Sequence, residues 1–147
     1  MTLFTIGFTK TTAEEFFAKL RDAGVKTVLD ARIHRDGQLS GFAKLPDLRY
    51  FLTELARSGY EPLTSLAPTA SLLKSYRDKE LSWEQYAQAY RKLLEERQPD
   101  RQIDPALLAH GCLLCSEKSP DKCHRRIAAE YLRDAFADTH RIEIVHL

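Results

Sequence analysis

The chain has 147 residues, of which 44% are hydrophobic and 29% are charged, a composition typical of an ordinary globular protein and unlike that of a disordered or fibrous one. A total of 22 Lys and Arg against 21 Asp and Glu gives a formal net charge of +1, so no overall field favours nucleic acid or anionic lipid. We find no signal-like first segment and no apolar run of membrane-spanning length, and we therefore expect a cytoplasmic protein without membrane contact.

Strand and helix patterns alternate from the start of the chain. Leu3 to Phe8 is apolar and rich in strand formers, and Thr12 with Glu15 makes a capping box that begins a helix. Gly24 is a suitable stop for that helix, and Val25 to Arg32 predicts a second strand. A crossover helix of this length permits the two strands to pair in parallel.

The same alternation continues to the end of the chain. A helix with apolar positions Leu48, Phe51, Leu52 and Leu55 is followed by a short strand within Tyr60 to Leu66. The next helix begins at Ser82 with a capping box and carries a stripe of Trp83, Tyr86 and Tyr90, and a surface connection runs from Arg97 to Pro105. The last segments are a buried strand within His110 to Glu117, a helix that Ser119 and Pro120 predict, and a strand within Arg141 to Leu147. These segments predict an α/β fold, with a mostly parallel sheet of about five strands flanked by helices, in a single domain over residues 1–147.

All three cysteines lie in one short segment, which favours reduced thiols over a disulfide framework. Cys112 and Cys115 fit a core role because free cysteine is commonly buried. Cys115, Cys123 and His124 carry zinc-compatible atoms, but there is no paired CxxC or HxxxH signature, and Cys123 and His124 would point in different helical directions. We therefore predict no metal site, and the cofactor stays undefined.

Ligands of open α/β sheets bind beyond the carboxyl ends of the strands. This rule brings forward Thr9 after the first strand, Asp30 and Arg32 after the second, and the segment from Cys115 to Arg126 after the buried strand. Free amides at a helix start and arginine guanidinium groups hold phosphate or carboxylate. We therefore predict Thr9, Asp30, Arg32 and Arg125 as ligand-binding residues.

Catalytic candidates come from the Cys115 to Arg126 segment. Cys123 is expected in a first helical turn, where the dipole and neighbouring cations favour a nucleophilic thiolate. His124 or Glu117 would transfer protons, while Arg32 and Arg125 would stabilise negative charge. A structural role stays open at each position, since His124 can be a satisfied core histidine and Asp30 can form a buried ion pair with Arg32 or Arg125.

Three short motifs stand out together: Thr5-Ile6-Gly7-Phe8-Thr9, then Asp30-Ala31-Arg32 followed by Gly41-Phe42-Ala43-Lys44, then Cys115-Ser116-Glu117 leading to Cys123-His124-Arg125-Arg126. In this combination the chain resembles, over nearly its whole length, the bacterial and archaeal family called domain of unknown function 488. That family commonly has His and Ser after Thr-Ile-Gly, where this chain has Phe8 and Thr9, so no role is carried over for that histidine. The resemblance implies the fold and the site, and no established activity.

Three functions stay open on the sequence. The leading hypothesis is a ligand-binding domain, whether or not an enzyme, that accepts a small anionic or nucleotide-like molecule at Asp30, Arg32, Glu117 and the Cys123 to Arg125 segment. The second is a nucleic-acid module for a modified or unstacked base, which the net charge supports little. The third is a structural or interaction protein whose polar cluster serves only the fold. The oligomeric state is not specified by the residues.

Overall fold

A computed structural model of the chain describes residues 1–35 and 40–147, and a parallel β-sheet lies at its centre. Its strands are β1 (Thr2–Gly7), β2 (Thr27–Asp30), β3 (Gly59–Pro62), β4 (Gly111–Cys115) and β5 (Glu143–His146). Their order across the sheet is β3-β2-β4-β1-β5, and every neighbouring pair is parallel. The predicted α/β fold with about five mostly parallel strands is therefore confirmed.

The α-helices of the described residues are α1 (Ala13–Asp22), α2 (Asp47–Phe51), α3 (Ala70–Arg77), α4 (Trp83–Arg97) and α5 (His124–Ala135). One π-helical turn, Leu52–Ala56, continues α2. Within the described ranges, no helix combines the length and the apolar character that a bilayer crossing demands.

The two faces of the sheet carry separate apolar cores. On one face, Phe16 and Leu20 of α1 and Leu48 of α2 pack with even-numbered residues of the strands such as Val28. On the other face, Leu94 of α4 and the residues of α5 pack with odd-numbered strand residues such as Leu113. The helices that follow the neighbouring strands β1 and β4 lie on opposite faces of the sheet, but the residues just after β4 stay beside the end of β1, where the Phe8 amide donates to the Ser116 carbonyl at 3.2 Å.

Both predicted capping boxes are present. The Thr12 hydroxyl accepts from the Glu15 amide at 3.2 Å, and the Glu15 carboxylate accepts from the Thr12 amide at 3.4 Å. Ser82 and Gln85 make the same pair of bonds at the start of α4. These reciprocal bonds satisfy amides that have no partner inside the helix, which explains why both helices begin where the sequence predicts.

The start of α5 differs from the prediction. Ser119 and Pro120 announce a helix in the sequence, but the helix begins at His124, and residues 119–122 form a bend and turn. The buried Arg125 guanidinium takes the backbone carbonyls of Glu117 and Lys118 as acceptors, and this fixes the preceding segment as a loop. The Ser119 hydroxyl instead accepts from the Asp121 amide at 3.3 Å, in a local turn that uses the capping group without starting a helix.

Candidate functional site

A cavity of about 100 Å³ lies beyond the carboxyl ends of β2 and β4. Its lining comes from the residues that follow β2, from the segment between β4 and α5, and from a wall formed by α3 and α4. The cavity thus occupies the edge of the sheet where open α/β folds bind their ligands.

The cavity gathers some of the predicted site residues and leaves others out. Arg32, Glu117, Cys123 and His124 line it. Thr9, Asp30 and Arg125 are not among its lining residues in the part of the chain that is described. Two residues that the sequence assigned to core packing, Cys115 and Tyr86, also line it. The polar groups around this edge therefore fall into a cavity-lining set and a supporting set.

Cys115 and His124 meet at the floor of the cavity. The Nδ1 atom of His124 lies 3.3 Å from the Cys115 Sγ atom, and Nε2 lies 3.1 Å from the Ala31 carbonyl oxygen. A carbonyl only accepts, so we assign the ring proton to Nε2, and the Nδ1 lone pair is directed at the thiol. Burial lowers the pKa of His124, which favours this neutral form of the ring.

Cys123 joins this pair because it lies outside the helix. It is the N-cap of α5, with an extended backbone at φ −132°, and the expected divergence of Cys123 from His124 does not occur. One ligand atom from each of Cys115, Cys123 and His124 lies within 4.8 Å of the other two, and all three residues are buried. Cys123 and His124 therefore do not point apart as the sequence predicted, because Cys123 precedes the helix.

The pKa values of the Cys115 and Cys123 thiols are shifted in opposite directions. Burial alone raises the pKa of Cys115, but hydrogen bonds from the Cys123 thiol and the Glu117 backbone, with the positive charge of Arg125, lower that pKa overall. The pKa of Cys123 is raised, first by its hydrogen bond to Cys115 and then by burial. Cys115 is therefore the more acidic of the two thiols, whereas the sequence predicted the reactive thiolate at Cys123.

Asp30 and Arg32 form a buried, bidentate ion pair on the face of the sheet that α1 and α2 cover. Arg32 Nε and Nη2 donate to the two Asp30 carboxylate oxygens at 2.9 and 3.0 Å. Arg32 Nη1 donates to the Ala43 carbonyl at 2.8 Å, and the Tyr60 hydroxyl donates to Asp30 at 2.6 Å. Arg32 borders the cavity, but these bonds occupy its guanidinium group and tie down the chain after β2.

Arg125 is fully buried and organises the loop between β4 and α5. Its Nη2 donates to the Lys118 carbonyl at 3.0 Å, its Nη1 donates to the Glu117 carbonyl, and its Nε donates to the Thr5 hydroxyl at 3.2 Å. One planar fork thus holds three acceptors that come from two segments of the chain.

Gly7 and Thr9 hold the same loop from the end of β1. A Cβ atom on Gly7 would lie 1.6 Å from the Glu117 carbonyl oxygen, so only glycine permits the loop to cross β1 at this distance. The Thr9 amide donates to the Ser116 carbonyl at 3.0 Å, and the Thr9 hydroxyl donates to the same oxygen. Thr9 therefore positions cavity-lining residues without lining the cavity.

Tyr86 brings an unusual hydroxyl group to the cavity wall. The residue is 2% exposed, and its hydroxyl has no hydrogen-bond partner among the residues described. Its ring packs at 4.8 Å from Tyr76 and 5.6 Å from Trp83, measured between centroids. Since buried polar groups are normally satisfied, this hydroxyl is an unmet hydrogen-bonding position on an aromatic wall.

The charge at the cavity is mainly positive. Arg77 and Lys122 are exposed cations of its lining, while Glu117 is an exposed acid there. Such a distribution attracts an anionic group to the mouth of the cavity.

Comparison with known proteins places the chain in one family. No curated protein sequence and no solved structure matches it. A family model with the description Domain of unknown function DUF488 matches residues 12–132, a span that contains the whole cavity lining but not the Thr5 to Thr9 motif. Since the match covers well over half of the 147 residues, the chain belongs to the family described as Domain of unknown function DUF488.

Proposed function

We propose that the protein binds a small anionic, nucleotide-like molecule in the cavity and acts on it with the Cys115, Cys123 and His124 group. The observation that carries the proposal is the Tyr86 hydroxyl, which is buried, lacks a partner among the described residues and belongs to the cavity lining. A polar atom of a ligand would satisfy it, and the free energy of that hydrogen bond would favour binding.

The size and the walls of the cavity suit one edge of a ring as the buried part of the ligand. An apolar cavity of roughly 150 Å³ accepts benzene, so a volume of about 100 Å³ holds at most part of one ring. The Tyr76, Trp83 and Tyr86 rings offer flat surfaces against which a ring can stack. The remainder of the ligand would lie at the mouth, beside Arg77 and Lys122, where a phosphate or carboxylate is favoured.

Two other hypotheses from the sequence supply the alternative outcomes of a test. A nucleic-acid module would offer the same cavity to an unstacked base, with affinity that falls steeply as salt increases. A purely structural role is already the simplest account of Asp30 and Arg125, whose hydrogen-bonding groups are occupied within the protein. Arg32 and His124 of the cavity lining are also hydrogen-bonded within the protein, but the Tyr86 hydroxyl has no partner among the described residues, and a structural role leaves it unexplained.

Tyr86→Phe tests the proposal because it removes only the unpartnered hydroxyl. Thermal melting with nucleoside monophosphates, phosphosugars and acidic metabolites should give a ligand-dependent increase in Tm for the parent protein. For the compound that binds, Tyr86→Phe should weaken the affinity about tenfold, which corresponds to ~1.4 kcal/mol, without loss of stability. Lys122→Ala should weaken it by a smaller factor.

Tyr50→Phe is the matched control, since Tyr50 is 65% exposed and lies on α2, on the opposite face of the sheet. An equal Tm shift in the parent and in Tyr86→Phe would reject the cavity as the binding site. No shift with any compound, together with salt-sensitive oligonucleotide binding, would favour the nucleic-acid hypothesis instead.

A further inference from the structure

We infer that Cys115, Cys123 and His124 bind a soft divalent cation of the zinc type, with one coordination position open to the cavity. The inference deepens the proposed function, because the open position is where a ligand atom or a water molecule would meet the metal. Binding of the metal itself depends only on the three side chains, so the two ideas can fail separately.

The three donor atoms are already close to the arrangement of a tetrahedral site. Zinc bonds of ~2.3 Å to sulfur and ~2.0 Å to nitrogen place a sulfur and a nitrogen ligand about 3.6 Å apart. Cys115 Sγ and His124 Nδ1 are 3.3 Å apart, and the atoms of all three residues lie within 4.8 Å of one another. The Cys115–His124 pair would open by a few tenths of an ångström, and the widest pair, which spans up to 4.8 Å, would close by about 1 Å.

The histidine ring is oriented as metal-binding histidines are. Such residues commonly donate the N–H that is not at the metal to a backbone carbonyl or a carboxylate, which fixes the ring and directs the other nitrogen at the ion. Here Nε2 is held by the Ala31 carbonyl at 3.1 Å, and Nδ1 is directed at Cys115. The ring therefore needs no rotation to bind a metal.

The backbone that carries the three ligands is well anchored. Cys115 is the last residue of β4, Cys123 is the N-cap of α5, and His124 is the first residue of that helix. The loop between them is held by Arg125 through the Glu117 and Lys118 carbonyls. A site on such rigid elements loses little conformational entropy when the metal binds.

The donor set and the cavity define the kind of metal site. Two thiols and one imidazole favour zinc and disfavour magnesium or calcium, which prefer oxygen ligands. Binding would release the thiol protons, and the doubly charged ion would balance two thiolates. Within residues 1–35 and 40–147, Cys115, Cys123 and His124 supply three ligand atoms, and all three residues line the cavity. Zinc sites with three protein ligands keep a fourth position for water or substrate, and here that position would face the cavity.

Cobalt(II) is a suitable probe, because tetrahedral thiolate ligation gives intense visible bands and a thiolate-to-cobalt charge-transfer band. The full chain, stripped with a chelator, should bind about one Co²⁺ and show both signals, and Zn²⁺ should displace it. Cys115→Ser and Cys123→Ser should each abolish the charge-transfer contribution of one thiolate and weaken zinc affinity at least about 100-fold. His124→Gln should weaken it similarly.

Cys112→Ala is the matched control, since Cys112 is also a buried thiol of β4 but belongs to the core on the opposite face of the sheet. It should bind Co²⁺ as the parent does. Absence of stoichiometric binding by the parent, or signals unchanged in Cys115→Ser and Cys123→Ser, would overturn the inference.

A measurement on the parent chain alone keeps the inference testable if a variant fails to fold. Zinc should slow alkylation of both Cys115 and Cys123 by iodoacetamide, as followed by peptide mass spectrometry, and a chelator should restore the rate. Equal rates with and without zinc would reject the metal site. If the two rates are equal while Tyr86-dependent ligand binding persists, the metal inference fails and the proposed function stands.

Discussion

The guanidinium group of Arg125 donates a hydrogen bond to the backbone carbonyl of Glu117, and so joins the first turn of α5 to the loop that borders the cavity. The same group reaches Lys118 and Thr5, although Arg125 itself is 0% exposed. Arg125, which the sequence predicts to bind an anion, therefore holds the loop between β4 and α5 in position.

Arg125→Lys should destabilise the protein although it keeps the positive charge. An ammonium group cannot reach three acceptors in two directions, and each buried acceptor left without a donor costs about 1–3 kcal/mol. We expect the free energy of unfolding, measured by urea denaturation, to fall by about 2–4 kcal/mol. Arg126→Lys, at a half-exposed neighbour, is the control and should change it by less than about 0.5 kcal/mol. Equal stability of both variants would contradict this role of Arg125 in holding the loop.

Gly7→Ala should be harmful because the added carbon meets backbone atoms that cannot rotate away. The Glu117 carbonyl would have to move, and overpacking of this kind costs about 1–3 kcal/mol or more. Gly41→Ala is the comparison, since a Cβ there meets nothing within 4 Å. Thermal unfolding should separate the two variants by several degrees, and matching Tm values would show that the loop lies farther from β1.

Asp30→Asn should leave the Arg32 guanidinium buried beside a neutral group. Breaking one partner of a buried ion pair costs about 3–5 kcal/mol, since the remaining charge loses its compensation. Tyr60→Phe removes only a neutral donor to the same carboxylate and should cost about 1 kcal/mol. A similar urea midpoint for the two variants would mean that the ion pair contributes little.

Protonation of His146 should weaken the fold below neutral pH. Arg125 can only donate to the Thr5 hydroxyl, so that hydroxyl donates its own proton to His146 Nδ1 at 2.6 Å, which requires the neutral ring. Burial and then the Arg125 charge lower the pKa of His146 in the folded protein below its usual 6.5. The unfolded chain therefore binds more protons as the pH falls through 6.5, and folding stability decreases there.

The test compares urea midpoints at neutral and mildly acidic pH in the parent and in His146→Gln. The variant should lose less stability on acidification, because every other titratable group is the same in both proteins. An identical decrease in the two proteins would show that His146 titrates alike in the folded and unfolded states.

Local signals in the sequence predict most of the fold. The two capping boxes, the Gly24 stop at φ 71° and the apolar strands are each determined by nearby residues. The helix α3 was not predicted, although Thr69 caps it through the Leu72 amide. The helix has only eight residues, none of them fully buried, and so short a segment gives little helical periodicity to recognise in the sequence.

The site was harder to predict because it depends on which face of the sheet a side chain occupies. Alternate residues of a strand point to opposite faces, and this periodicity already puts Cys115 with Leu113, on the face covered by α5. The same argument puts Asp30 with Val28 on the α1 and α2 face, away from the cavity. What the pattern could not reveal is that Cys123 precedes the helix, since Ser119 and Pro120 predict an earlier start and Ser119 instead accepts from the Asp121 amide in a turn.

The wall that α3 adds to the cavity has a consequence for how molecules enter and leave. Leu73, Tyr76 and Arg77 reach the cavity from a helix of eight residues that buries none of them completely, whereas Cys115 and His124 belong to the packed interior. Brief local unfolding of that helix would widen the entrance to the cavity while Cys115 and His124 stay in position. Amide hydrogens of α3 should accordingly exchange with solvent well before those of α4. The rate at which a molecule enters or leaves the cavity would then depend on the stability of this one short helix and not on that of the whole protein.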